Sequence, residues 1–197
     1  MRISGDYLRR LFLLSALPVL LLNPSTPRAA TLEGVQMPDS IEVGGATLKL
    51  NGMALRTYSW LGIKIYVAGL YLENPAGDAD TILNSPEKKV LVVHFLRDIT
   101  LDQARNAWKQ GFSGNCLAPC HINPGELNAF LANVTKLDEG DSSTLIFTPD
   151  AGVEVDMNGK RVHDTKNPDL VYAMLATFIG PKPPSQDVKL GLLGKGE

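Results

Sequence analysis

The chain has 197 residues, with 19 Lys and Arg against 21 Asp and Glu, and a formal net charge of −2. No cluster of five or more basic residues occurs, which argues against nucleic acid or an anionic membrane as the main partner. Beyond residue 22 no apolar stretch reaches the length of a bilayer-crossing helix, so the working part is expected to be soluble, without stable membrane insertion.

Arg2, Arg9 and Arg10 precede residues 11–22, twelve residues without a charge, interrupted by Ser15 and Pro18. This is the length of the apolar region of a secretion signal and too short to span a membrane. Pro24, Ser25, Thr26 and Pro27 break any helix, and Ala29 and Ala30 supply small residues for cleavage, although Arg28 fits poorly three positions before a cut at Ala30. Residues 1–30 are therefore read as an export signal, with the periplasm as destination, and residues 31–197 as one domain. Arg9-Arg10 also resembles a twin-arginine signal, which stays as the alternative to the preferred general secretory route. Removal of residues 1–30 leaves 15 basic against 20 acidic residues, a net charge of −5.

Residues 31–43 lead to Gly44-Gly45, a turn signal. Residues 46–50 and 53–58 flank Asn51-Gly52, the strongest short hairpin signal, and are read as two strands. Residues 63–72, rich in Ile, Val and Tyr, and residues 89–96 read as further strands. Residues 144–148 and 153–157 form a hairpin, and Asn158-Gly159 leads to another strand over 161–163. Three helices are expected. Thr100 caps one that places Leu101, Ala104, Trp108 and Phe112 on one face. Asn123, Pro124 and the capping-box acid Glu126 open the second, and Asn167-Pro168 opens the third, closed by Gly180-Pro181. Antiparallel strands with clustered helices give an α+β domain, a sheet covered by helices on one face.

Common catalytic signatures are missing: there is no Gly-rich phosphate loop, no H-E-x-x-H, no G-x-S-x-G and no EF-hand loop. Cys116 and Cys120 are the two cysteines, and in an exported protein their default is a disulfide. With His121 they read C-x-x-x-C-H, one residue longer than a haem c attachment signature, which keeps haem as an alternative. His94 and His163 are isolated and not at ligand spacing, so no metal is expected, and no cofactor is predicted.

One pair of residues points further. A hairpin turning near Leu61 and Gly62 places Arg56 opposite Tyr66, with Cβ atoms about 5 Å apart. A guanidinium and a phenol converging on one patch can clamp a carboxylate or a polarised carbonyl oxygen. An exposed arginine beside a strand tyrosine is the plainer reading of the same pair.

The run Leu50-Asn-Gly-Met-Ala-Leu-Arg-Thr-Tyr, followed by Ile63-Lys-Ile-Tyr-Val-Ala-Gly-Leu-Tyr-Leu, resembles the opening of a chalcone isomerase-like domain. The junction Val92-Val-His-Phe-Leu-Arg-Asp-Ile-Thr and the tail with Pro183-Pro184 and Leu190-Gly-Leu-Leu-Gly are similar too. The resemblance covers most of residues 31–197 and lies with the signal-bearing bacterial branch. It implies an open-faced sandwich, a long antiparallel sheet against a helical layer with the ligand cleft between them. Arg56 then corresponds to the family's cleft arginine. Tyr66 stands where the plant flavonoid enzymes carry a threonine, and a tyrosine there resembles the fatty-acid-binding branch. The helix tyrosine of the plant enzymes corresponds to Ala104, and their following lysine and asparagine to Ala107 and Gly111. The resemblance therefore implies a binder of an amphipathic carboxylate held by Arg56 and Tyr66, with Ala104 and Trp108 lining an apolar tunnel. The helix face is equally readable as ordinary core. The alternative is an isomerase acting on an enone, with Arg56 and Tyr66 as catalytic groups and Tyr58 or Tyr71 replacing the missing donor.

Overall fold

A strand with one apolar face must bury it, and among the described residues nine strands form one sheet and one small hairpin that do so. The computed structural model describes residues 29–116 and 118–196, so nearly all of the predicted export signal lies outside the described residues. The hairpin is β1 (Ala29–Leu32) with β2 (Val35–Pro38). The sheet is an antiparallel meander of β3 (Ser40–Val43), β4 (Ala46–Tyr58), β5 (Ile63–Leu72), β6 (Lys89–Phe95), β7 (Ser142–Thr148), β8 (Gly152–Met157) and β9 (Lys160–Thr165), in that spatial order. Helices α1 (Ala79–Asn84), α2 (Leu101–Asn115), α3 (Pro124–Asn133), α4 (Pro168–Ile179) and α5 (Gln186–Leu192) complete the domain. The α+β class read from the pattern is the class observed.

Alternation divides the sheet into two cores. Ala68, Leu70, Leu72, Leu91 and Leu145 face the helices, where they meet Leu170, Met174 and Ile179 of α4 and Leu192 of α5. Val67, Tyr71 and Val90 face the other way and pack on Met37 of β2. Gly69 makes that second contact possible: a Cβ there would lie 2.1 Å from the Met37 sulfur. Residues 31–43, read only as a lead-in, thus form three short strands. Ala29 and Ala30 belong to the same ladder, opposite Pro38 and Met37, so a cut after Ala30 would remove half of β1.

The expected hairpin at Asn51-Gly52 is not formed. β4 runs straight through it, with a register shift between Leu50 and Gly52. The pair serves a distant segment instead. The Asn51 amide donates to the Leu192 carbonyl at 2.8 Å, and its oxygen accepts from the Ala76 N–H at 2.8 Å. A Cβ on Gly52 would stand 2.1 Å from the Gly191 carbonyl oxygen, so α5 rests directly on the backbone of β4. Local turn propensity lost to this tertiary contact.

The three expected helices are present, and α1 and α5 are additions to them. Thr100 caps α2 in a reciprocal capping box with Gln103. Asn123 caps α3 through the Gly125 N–H, one residue before the acid Glu126 expected to complete a box. Gly111 lets α2 cross close to α4, since a Cβ there would meet Thr177 at 2.4 Å.

Candidate functional site

The hairpin of β4 and β5 turns at residues 59–62, with Ser59 and Gly62 in the left-handed region and the Gly62 N–H bonded to the Ser59 carbonyl. Its register puts Arg56 directly opposite Tyr66, as the spacing predicted. Both side chains share the helix-facing side with Ala54 and Ala68. Above them the helices do not close. A cleft of about 950 Å³ opens between the sheet and α2, α3 and the end of α4. Arg56, Tyr66, Ala104 and Trp108 all line it.

The cleft wall is aromatic. Tyr66 meets Phe95 and Phe178 edge to face, with centroids 6.1 and 6.3 Å apart. Phe178 meets Trp108 at 6.0 Å, Trp108 meets Phe130 at 5.1 Å, and Phe130 meets His163 at 5.2 Å. Offset and edge-to-face contacts of this kind rigidify a wall beyond simple burial. Of the face expected to line a tunnel, Ala104 and Trp108 do so, while Phe112 turns into the core at 3% exposure. Ala107 and Gly111 border the cleft without side-chain donors, and Gln103, Asn106 and Gln110 stand exposed at its rim.

Charge sorts sharply here. Arg56, Arg97 and Lys182 line the cleft, and no Asp or Glu does among the described residues. No carboxylate pairs with Arg56 among the described residues either. Burial holds the Tyr66 phenol protonated well above its ordinary range, with the Arg56 charge offsetting part of that shift. Tyr66 is therefore a permanent hydrogen-bond donor beside a permanent cation, an arrangement suited to an anionic or strongly polarised oxygen.

A second polar station escaped the sequence reading. His163 on β9 lines the cleft, five strands from Arg56, about 24 Å along a flat ladder. Its Nδ1 lies 3.3 Å from the Asn133 amide nitrogen, and its Nε2 is buried without a partner among the described residues. An Nδ1 that accepts from Asn133 leaves the proton on Nε2. Burial lowers its pKa, while Asp164 and Glu126 oppose the shift. Ser143, 8% exposed, lines the same space from β7. Neither residue carries a local signal, because only the strand order brings them to this face.

Other expectations resolve differently. Tyr71, offered as a replacement donor, is 1% exposed in the core on the opposite face and cannot reach the cleft. Tyr58 does line it, at the mouth. His94 lies at the register position of Val67, on the face away from His163. Cys116 and Cys120 are joined in a disulfide just after α2, which leaves no thiol there for covalent haem. Neither cysteine borders the cleft.

The geometry defines an α+β domain with a cleft between sheet and helices, whose lining among the described residues is cationic and free of carboxylates. The model of the chalcone isomerase-like family matches residues 29–194, and the chain belongs to that family. Among solved structures the chain is similar to a fatty-acid binding protein of Arabidopsis thaliana. The match has a TM-score of 0.70 and 18% identity, and covers 85% of this chain and 96% of that one. No curated protein matches the sequence.

Proposed function

We propose that this protein binds an amphipathic carboxylate, of the fatty-acid class, in the cleft between sheet and helices. The observation that carries the reading is the lining: three cations and, among the described residues, no carboxylate around an aromatic wall, in a chain whose net charge is negative. Arg56 pairs with the head group, Tyr66 donates a hydrogen bond to it, and Trp108, Phe178 and Phe130 enclose the tail. The similarity to a fatty-acid binding protein supports the same class of ligand. Replacing Arg56 by Ala is expected to weaken long-chain fatty acid binding by about ten- to a hundredfold, the range of a charge-assisted hydrogen bond. Unchanged affinity would remove the proposal.

Export to the periplasm belongs to this reading, on the strength of Arg2, Arg9, Arg10 and the apolar run of residues 11–22. Its measure is the mass and compartment of the protein recovered from its own host. A full-length chain in the cytoplasm would contradict it.

The isomerase alternative draws on the family and on the same Arg56 and Tyr66 as catalytic groups. Ala104 supplies no donor where an enolate would need one, which makes it the weaker reading. Chalcone cyclisation faster than the spontaneous reaction is the result that would restore it.

A further inference from the structure

Large apolar side chains are rarely left in water in clusters. Among the described residues, four large hydrophobics are prominently exposed, and three of them sit within one four-residue span: Tyr58 at 63%, Trp60 at 92% and Leu61 at 63%. They form the tip of the β4–β5 hairpin. The turn is not a frayed end. Ser59 and Gly62 hold positive φ, the Gly62 N–H bonds to the Ser59 carbonyl at 3.2 Å, and the Leu61 N–H bonds to the Ser59 hydroxyl at 3.3 Å. The backbone is thus shaped to hold these side chains outward.

The tip is continuous with the cleft. Tyr58 and Ile63, at its two ends, line the cleft together with Arg56. The one acid paired near its base, Glu33, is neutralised by Lys64. Apolar surface, the cationic head-group station and the cavity therefore follow one another along a single hairpin.

We propose that residues 58–61 form an interfacial anchor that seats the cleft mouth on a lipid bilayer, where an acyl carboxylate passes between membrane and protein. Tryptophan and tyrosine favour the bilayer interface because each joins an apolar ring to a polar atom. A four-residue tip lies in that interface and does not cross it. The anchoring rests on the exposed tip alone. The exchange of ligand rests in addition on the carboxylate-binding reading above.

The test uses neutral phosphatidylcholine vesicles, which separate apolar anchoring from charge attraction. The parent cosediments with them, and a W60S/L61S variant loses about tenfold or more in vesicle affinity, as expected for apolar side chains withdrawn from an interface. In a Trp108→Phe background Trp60 is the only tryptophan, and its emission shifts to the blue and is quenched by brominated lipid. Equal vesicle affinity for parent and variant, or an unmoved Trp60 spectrum, overturns the anchor. So does a blue-shifted Trp60 in a vesicle-free dimer, because the tip then covers a second copy. The two readings fail separately: Arg56→Ala tests the head-group station by affinity for monomeric fatty acid, and the tip variant tests the anchor by vesicle binding and by a slower transfer of fatty acid out of vesicles.

Discussion

The helix-facing side of one sheet carries two regions that differ in what covers them. In the closed half, Leu70, Leu72, Leu91 and Val153 are at most 3% exposed beneath α4 and α5. In the open half, on the same strands β4, β5 and β6, Arg56, Tyr66 and Phe95 look into the cleft. The strands are continuous between the two, so strand composition alone does not separate them. Both helices make the difference, and α5 reaches the closed half because Gly52 and Gly191 allow its backbone to touch β4. The deepest burial is thereby concentrated at one end, and at the other end the sheet stays open to the cleft.

The comparison breaks most readily at Gly52. Gly52→Val places side-chain atoms where the Gly191 carbonyl lies, and about 3 kcal/mol or more of stability should be lost in denaturant titration. Leu91→Ala, in the closed half, is expected to cost about 3 kcal/mol by the same measurement. Tyr66→Phe, in the open half, should change stability by less than about 1 kcal/mol while weakening fatty acid binding. If Tyr66→Phe cost as much as Leu91→Ala, the division into a stabilising and a binding half would be wrong. Reducing Cys116–Cys120, which closes a short loop, should lower stability by about 2 kcal/mol at most and leave affinity unchanged, since neither cysteine borders the cleft.

The smallest effect concerns pH. Burial lowers the pKa values of His94 and His163 below the ordinary value of about 6.5. The unfolded chain then binds more protons than the folded one as pH falls through that ordinary value, so stability is full above it and declines on acidification. His163→Phe should make the fall in stability between about pH 7 and pH 5 shallower. An unaltered slope would mean that His163 is not protected from protonation.

Legibility followed the range of the forces involved. The facing of Arg56 and Tyr66 was readable because a single turn with Gly62 fixes it over ten residues. Thr100, Asn123 and Asn167 marked their helices because a cap is a local bond. Asn51-Gly52 misled because its partners, Ala76, Gly191 and Leu192, lie 25 to about 140 residues away. His163 and Ser143 were invisible as cleft residues for a similar reason: their position depends on the order of seven strands. The two short helices had caps, Asp78 and Ser185, but too few turns to stand out by periodicity.

The central claim is that the open half recognises a carboxylate at Arg56. The most direct measurement compares palmitic acid with its alcohol, the same chain without the charge, on the parent and on Arg56→Ala. The parent should prefer the acid by about tenfold or more, and the variant should bind both alike. A preference that survives in Arg56→Ala, or no preference in the parent, would contradict the account.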